Sequence, residues 1–241
     1  MELLSNGTGL TAVVFLPLIS ALILTAIPKS QELLIKGFAL ASSIVTFVIS
    51  ALLLPQFDFS NADKLQLGNK ISWIKSINSN YEIGIDGISL PLLILSTFIT
   101  VLAIIYSIEH LPEPKSPKGF LALILVLETG MNGTFVALDL ILFFVFFEIV
   151  LLPMYFMIGI WGDKTVRTVA GFKNQIETRL YASIKFFVFT LFGSAFMLLG
   201  FLGLYYRGGR TFSIPELIDL GTNGAFTGTF AMLVFAVLFL G

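Results

Sequence analysis

Long, mostly apolar stretches dominate the pattern of hydrophobic and polar positions along the chain. A helix that crosses a bilayer needs about 20 mostly apolar residues. Seven stretches meet or approach that length, and together they cover well over half of the sequence: 10–28, 33–55, 87–107, 118–138, 139–161, 180–204 and 224–241. The pattern therefore predicts an all-α polytopic membrane protein with about seven transmembrane helices. Because no Lys or Arg precedes the first stretch, we interpret it as a retained helix and not as a signal peptide.

Polar and apolar residues alternate in only one sizeable segment, the connection 56–86. Alternation over 81–86 is typical of a half-buried strand, and residues 70–75, with a turn at 78–80, supply a partner strand. A small external hairpin is the favoured interpretation of this connection. A polar loop without fixed structure is the alternative.

The distribution of Lys and Arg between the connections predicts the orientation, since cytoplasmic loops collect these residues. An outer N-terminus places eight of them in the cytoplasm and five outside. The cytoplasmic eight are Lys29, Lys36, Lys115, Lys118, Lys164, Arg167, Lys173 and Arg179; the outer five are Lys64, Lys70, Lys75, Arg207 and Arg210. We therefore expect the N-terminus on the outer side.

Composition excludes several classes of function. With 56% hydrophobic and 12% charged residues, the chain is far from a soluble domain, which carries about 25% charged residues. The sequence has no Cys and one His, which argues against thiolate metal sites, zinc centres and Ser-His-Asp triads. It has no Walker loop and no basic surface for nucleic acid. We expect no cofactor, no metal and no nucleic-acid partner, with lipid around the helices.

Three ionisable residues lie well inside the predicted spans, away from their ends; near the bilayer centre such a residue costs roughly 2.5–3.5 kcal/mol on insertion scales. Glu148 is at the midpoint of the fifth span, with no polar residue for a turn on either side. A carboxyl in such a place can be switched between neutral and charged by a neighbouring charge, as a proton carrier requires. Pro153 removes the hydrogen bond to the Ile149 carbonyl and loosens the backbone beside it. The alternative role for Glu148 is a protonated packing contact.

The other two residues have equally open interpretations. Lys185 lies in the sixth span, on the order of 10 Å nearer the inner surface than Glu148, so a relay through water is favoured over direct contact. Snorkelling to the headgroups is its alternative role. Glu128, in the fourth span, either joins a polar path with Glu148 or satisfies a packing contact. Asp139, between the fourth and fifth spans, is expected to lie close to water.

Three stretches together resemble one family. They are GIDGISLPLL at 84–93, ALDL at 137–140 with FFE at 146–148, and LPMYF at 152–156 extending to Trp161 and Gly162. They resemble the M chain of respiratory complex I, an antiporter-like subunit also called chain 4, and the resemblance runs along essentially all 241 residues.

The resemblance implies a proton-translocating subunit of NADH-quinone oxidoreductase, without a redox centre or cofactor of its own. It implies that a fifth-helix Glu, matched by Glu148, works with a sixth-helix Lys, matched by Lys185, and with a seventh-helix Lys that this sequence lacks. Its partners would be other membrane-arm subunits, especially the L and N chains, in an energy-converting membrane. Family members are about twice as long and contain two inverted five-helix repeats. We therefore expect residues 1–241 to form one membrane domain with an incomplete antiporter-like fold that lacks the C-terminal half.

Three other functions fit the same motifs. Two belong to related complexes: a subunit of a multisubunit Na⁺/H⁺ antiporter, and a membrane subunit of a group 4 hydrogenase. The third is a non-transporting scaffold, in which Glu148, Lys185 and Glu128 only fasten helices together.

Overall fold

The computed structural model describes residues 7–112, 114, 116–167 and 176–241, and eight α-helices lie in these ranges. In chain order they are α1 (Thr8–Ala26), α2 (Glu32–Ala51), α3 (Ser89–Glu109), α4 (Pro117–Val136), α5 (Leu140–Trp161), α6 (Thr178–Arg207), α7 (Ile214–Thr222) and α8 (Gly228–Leu240). Two antiparallel pairs of strands accompany them: β1 (Gln66–Ile74) with β2 (Ser79–Ile85), and β3 (Val166–Arg167) with β4 (Ile176–Glu177). Of the Lys and Arg used to predict the orientation, Lys115 and Lys173 lie outside the described residues.

Helices α1 to α6 are long and apolar enough to cross a membrane, which confirms an all-α polytopic protein. The seventh predicted span, 224–241, is only a 13-residue helix here. Gly224 and Gly228 adopt positive φ angles of 81° and 63°, which interrupt a right-handed helix, so the helical path is broken over residues 224–227 and α8 extends from Gly228. The short helix α7 has no counterpart among the predicted spans.

The helices form a bundle that is extended in one direction. Helices α1 to α4 pack around one another, and a buried apolar cluster joins them that includes Leu24, Ile35, Ile104 and Leu125. Helix α5 packs on α4, α6 packs on α5, and α8 packs on α6. Helix α4 is therefore the boundary between the four-helix group and the row that follows it.

The predicted hairpin is present and covers one end of the bundle. In its register Lys70 lies opposite Glu82, and Ser72 lies opposite Asn80. The turn is a short 3-10 helix, Lys75–Ile77, followed by Asn78 in the left-handed region at φ 54°. Tyr81 shares a hydrogen bond of 3.1 Å with Thr11 at the start of α1. The hairpin is thus tied to the bundle.

Asp139 fastens the junction of α4 and α5 to this hairpin and is fully buried. Its carboxylate accepts hydrogen bonds from the Ser79 hydroxyl at 3.0 Å, from the backbone N–H of Asn80 at 2.9 Å, and from the N–H groups of Ile141 and Leu142 in the first turn of α5. The expectation that Asp139 lies close to water is wrong, because β2 folds over it. Asp139 is the N-cap of α5, and the same carboxylate binds β2 through Ser79 and Asn80.

A charged cluster joins the hairpin to α7. Lys70 Nζ lies 3.0 Å from Glu216 Oε1 and 3.1 Å from Glu82 Oε2. Partial burial lowers the pKa of Lys70, but its hydrogen bonds to Glu216 and Glu82 outweigh that effect and leave the pKa above its ordinary value. The hydrogen bond from Thr211, followed by that from Lys70, lowers the pKa of Glu216. Both residues are therefore charged and paired at neutral pH.

Candidate functional site

Glu148 lies in the middle of α5, on the side that faces α6. Tyr155, seven residues further along α5, packs on Phe187 of α6 with ring centroids 5.3 Å apart. A residue and the one seven positions later share a helix face, so Glu148 has the same orientation as Tyr155. Its Oε1 atom is buried and has no hydrogen-bond partner among the described residues. Glu148 as a whole is half-buried, so its carboxyl lies on the α6 side of α5 with unused hydrogen-bonding capacity at Oε1.

The packing of α5 on α6 shows which residues lie level with Glu148. Counting from the contact of Tyr155 with Phe187, Glu148 is level with residue 194; counting from the contact of Phe143 with Phe201, it is level with residue 196. Ser194 is buried and lies seven residues after Phe187, on the face of α6 that contacts α5. Ser194 is therefore the polar side chain of α6 nearest in level to Glu148.

Lys185 occupies a different place on α6. It is nine residues before Ser194, which at about 100° per residue puts it on nearly the opposite face. At 1.5 Å per residue it is also about 14–16 Å along the axis from the level of Glu148. Its side chain is exposed, and Nζ lies 5.6 Å from the centroid of the Tyr181 ring. None of the ion pairs found in the described part of the chain joins Lys185 to Glu148.

Glu128 lies on the face of α4 that points away from α5. It is fully buried, and neither of its carboxyl oxygens has a hydrogen-bond partner among the described residues. Gly130 and Gly133 mark the face that contacts α5, since a Cβ on either would meet Val150 or Phe146. At about 100° per residue these glycines are roughly 140–160° around the helix from Glu128. Helices α4 and α5 are adjacent, but Glu128 and Glu148 face away from each other.

The structure adds two functional candidates that the sequence interpretation missed. Ser194 is one; its only sequence signal is a small polar residue in an apolar run. Asn132 is the other: its Nδ2 donates to the Val13 carbonyl at 3.2 Å, and its Oδ1 accepts from the Ser96 hydroxyl at 3.2 Å. Asn132 could have been identified from the sequence, because it places a polar amide side chain inside an apolar span.

The chemistry available at the site is that of a carboxyl, which can hold or release a proton. Among the residues that the structure describes, no group of three or more His, Cys, Asp or Glu can hold a metal ion. An apolar cavity of about 490 Å³ lies between α1, the hairpin and α5, and Phe15, Tyr81, Phe146 and Ile149 are among its lining residues. None of the described residues that line this cavity is charged.

Comparison with known families covers nearly the whole chain. Residues 12–134 match the family model described as NADH-ubiquinone oxidoreductase chain 4, amino terminus. Residues 137–241 match the model described as NADH:quinone oxidoreductase/Mrp antiporter, TM. The two matches meet at the junction of α4 and α5, so the boundary between the four-helix group and the later helices is also the boundary between the two models.

Curated relatives are likewise named as chain 4 or subunit M of a quinone oxidoreductase. The chain is 38% identical over 210 residues to an NAD(P)H-quinone oxidoreductase chain 4 of Gloeobacter violaceus, a match that covers 86% of this chain and 36% of that protein. It is 35% identical over 230 residues to an NADH-quinone oxidoreductase subunit M of Rickettsia bellii, covering 93% of this chain and 42% of that protein. The chain thus spans about two fifths of the length of the curated relatives it matches.

Solved structures share the fold. A chain of respiratory complex I from Thermus thermophilus superposes with a TM-score of 0.75 at 24% identity, covering 96% of this chain and 42% of that one. A chain of the Mrp complex from Dietzia superposes with a TM-score of 0.72 at 16% identity, covering 96% of this chain and 22% of that one. At these identities the superpositions show the antiporter-like fold alone.

Proposed function

Because the chain belongs to the NADH-ubiquinone oxidoreductase chain 4 family, we propose that it is an antiporter-like, proton-translocating part of an NADH-quinone oxidoreductase. Glu148 is the carboxyl that takes up and releases the proton. The observation that supports this proposal is the position of Glu148: it lies in the middle of α5 on the side that faces α6, and Oε1 is buried without a partner in the described part of the chain. Its protonation state then depends on which charges and polar groups approach it.

Lys185 acts in this proposal as a distant modulator and not as a direct partner. It lies about 14–16 Å along α6 from the level of Glu148 and on the opposite face. Ser194, level with Glu148 on the facing helix, is the first polar group next to the carboxyl. A proton or a water chain that connects Glu148 to Lys185 therefore has to pass around or along α6.

The proposal extends to the surroundings of the chain. It places the protein in an energy-converting membrane with its N-terminus on the outer side, beside other membrane-arm subunits of the complex, among them the antiporter-like L and N chains. The chain contributes no redox centre; electron transfer belongs to other subunits of the enzyme complex. Lys29 and Lys164 lie on one side of the membrane and the hairpin lies on the other.

Two related functions use the same fold. The second family model names the Mrp antiporter beside the oxidoreductase, and an archaeal membrane-bound sulfane sulfur reductase also superposes, with a TM-score of 0.74. A multisubunit Na⁺/H⁺ antiporter or a hydrogenase-related membrane arm is therefore the second candidate. The genes that flank this one would distinguish the candidates, because they encode the other subunits of its complex.

The test is Glu148→Gln in the full-length protein within its assembled complex. Gln has the same volume and keeps polar contacts but cannot ionise, so proton uptake by membrane vesicles, normalised to assembled complex, should be abolished or severely reduced. Glu148→Asp should retain part of the activity. Lys185→Ala should lose less than Glu148→Gln, because the cation lies far from the carboxyl. Proton pumping at the wild-type rate by Glu148→Gln would show that Glu148 has a packing role alone. It would favour the alternative in which the chain is a non-transporting scaffold.

A further inference from the structure

The cavity between α1, the hairpin and α5 is one branch of a forked groove on the surface of the bundle. The α5 branch has a volume of about 490 Å³ and follows α5 from Leu142 to Ile149. The α1 branch has a volume of about 530 Å³ and follows α1 from Thr8 to Ile19. The two branches are connected, because four residues line both of them: Thr11, Phe15, Ile71 and Tyr81.

Aromatic rings line the groove where it forks. The centroid of the Phe15 ring lies 6.2 Å from that of Tyr81 and 6.1 Å from that of Phe146, and Phe15 contributes to both branches. The deepest residue of each branch, Ile19 or Ile149, lines that branch alone. The branches thus share the end near the hairpin and separate toward the middle of the bundle.

Both branches extend to about the same depth. Ile19 is 11 residues after Thr8, the first residue of α1, and Ile149 is 9 residues after Leu140, the first residue of α5. At 1.5 Å per residue these distances are about 16 Å and about 14 Å. The hydrocarbon core of a bilayer is about 30 Å thick, so each branch extends through one leaflet. A transmembrane helix of a partner would need a groove along the whole thickness, whereas an acyl chain needs one leaflet.

The groove is polar at its hairpin end and apolar below it. Thr11 and Tyr81 share a hydrogen bond of 3.1 Å at that end, and Asn69 and Ser72 lie on the same rim. Trp73, which is 48% exposed, also lines the rim. Trp and Tyr are enriched at the level of the headgroups in membrane proteins. This order, a polar rim followed by apolar branches, corresponds to the headgroup and the chains of a phospholipid.

Hydrogen-bonding groups, and not charges, form the described part of the rim. None of the described residues that line either branch is charged. Lys70, between Asn69 and Ile71 in β1, is paired with Glu82 and Glu216. Recognition therefore depends on the two chains more than on the headgroup. Packing supplies it, because an apolar wall without a neighbour loses its dispersion contacts.

We propose that the forked groove binds one diacyl phospholipid of the leaflet on the hairpin side. One acyl chain fills the α5 branch, the other fills the α1 branch, and the headgroup lies at the rim near Trp73. The bound lipid joins α1, α5 and the hairpin across the gap between them. The site depends on the location of α1 and α5 in a membrane and does not depend on proton pumping by Glu148.

A density map of the assembled complex, with the full-length protein, in nanodiscs made of one phosphatidylcholine tests the occupant. Two chain-like densities should enter the branches and join near Trp73. A helix in the groove, from another subunit or from another part of this protein, would overturn the proposal. The absence of ordered density would overturn it as well, because lipid that only surrounds the protein exchanges and leaves no forked density.

A matched pair of variants tests the α1 branch. Ala12 is a small residue of that branch, so Ala12→Trp should fill it and remove the density of one chain. Ala26→Trp is the control, because Ala26 is exposed about 21 Å further along α1 and outside the groove. It should leave both densities unchanged. Two chain densities that persist in Ala12→Trp would contradict the assignment.

The melting temperature of the delipidated complex provides a second measurement. A ligand that binds the folded state stabilises it, so phosphatidylcholine should raise the Tm more than lysophosphatidylcholine, which has a single chain. This difference between the two lipids should shrink in Ala12→Trp and remain in Ala26→Trp. An equal difference in both variants would assign the stabilisation to another lipid site and overturn this one. Since neither readout measures pumping, failure here and failure of the pumping proposal are separate results.

Discussion

At the scale of single residues, the side chain of Asn132 in α4 replaces a hydrogen bond that Pro17 removes from the backbone of α1. Pro17 has no N–H, so the Val13 carbonyl one turn earlier loses its helical donor. Inside a membrane no water replaces that donor, and another protein group has to do so. Asn132 of α4 supplies the donor, at 3.2 Å, and its own carbonyl accepts from Ser96 of α3. Asn132 thus links α4 to α1, at the carbonyl that Pro17 leaves free, and to α3, at Ser96.

A double-mutant cycle on this pair should show strong coupling. Asn132→Leu leaves the Val13 carbonyl unpaired and should lower the thermal stability of the assembled complex. With Pro17→Ala, the restored N–H at position 17 takes over the Val13 carbonyl, so Asn132→Leu should cost less there. The expected coupling is about 0.5–1.5 kcal/mol, the range of hydrogen bonds between membrane helices. Additive losses in the two backgrounds, measured by thermal unfolding in detergent, would contradict the assignment.

At the scale of elements, α4 presents two faces with different chemistry. One face carries Glu128 and Asn132 toward α1, α2 and α3. The other carries Gly130 and Gly133, where the backbone approaches α5 so closely that a Cβ on Gly133 would overlap the ring of Phe146. Small residues allow such approach between membrane helices. The glycine face therefore holds α5 in place, and with it the position of Glu148.

Replacing a glycine on this face should loosen the α4 and α5 pair. Gly133→Ala should destabilise the assembled complex by about 1–3 kcal/mol, the usual cost of overpacking. Phe146→Leu in the same chain should restore part of the loss by making room. Gly37→Ala is the control, because nothing lies within 4 Å of a Cβ there, and it should be neutral or slightly stabilising. Equal melting temperatures of the Gly133 and Gly37 variants, in the complex in detergent, would contradict this packing.

The contact of the hairpin with α7 is a second arrangement of elements, and it should be acid-sensitive. The pKa of Glu216 is lowered in the folded chain, so its contribution is present above its ordinary value of 4.5 and is lost as the pH falls through the lowered value. Hydrogen exchange of the hairpin, corrected for the intrinsic pH effect, should therefore rise below pH 4.5. Glu216→Gln should remove that acid step, whereas Asp219→Asn on the same helix should keep it. An acid step that survives in Glu216→Gln would assign it to another group.

At the scale of the whole molecule, the six long helices and the hairpin were predictable from the sequence. The short helix α7, the late start of α8 and the mutual orientation of the charged residues were not. Apolar length gave the six long helices, and alternation gave the hairpin. Lys185 was placed in the correct helix, but which face of α6 meets α5 depends on the contacts of Phe187 and Phe201, which no single-sequence pattern encodes. The burial of Asp139 depends in the same way on a strand that is distant in sequence. Tertiary packing, not local propensity, decides both.

The last prediction concerns the side of the membrane on which the hairpin lies. In the structure α1, α3 and α5 begin at the hairpin end, whereas α2, α4 and α6 end there, so determining the location of any one connection fixes all of them. The excess of Lys and Arg in the other connections predicts that the hairpin is outside.

The chain has no Cys, which makes single introduced thiols specific labels. Lys29→Cys, in the exposed turn between α1 and α2, should react with a membrane-impermeant maleimide only from the cytoplasmic side. Asp63→Cys, just before β1, should react only from outside. Both thiols should react from both sides once detergent opens the membrane, and the reverse pattern in sealed vesicles would place the hairpin, the N-terminal end of α1 and α7 in the cytoplasm.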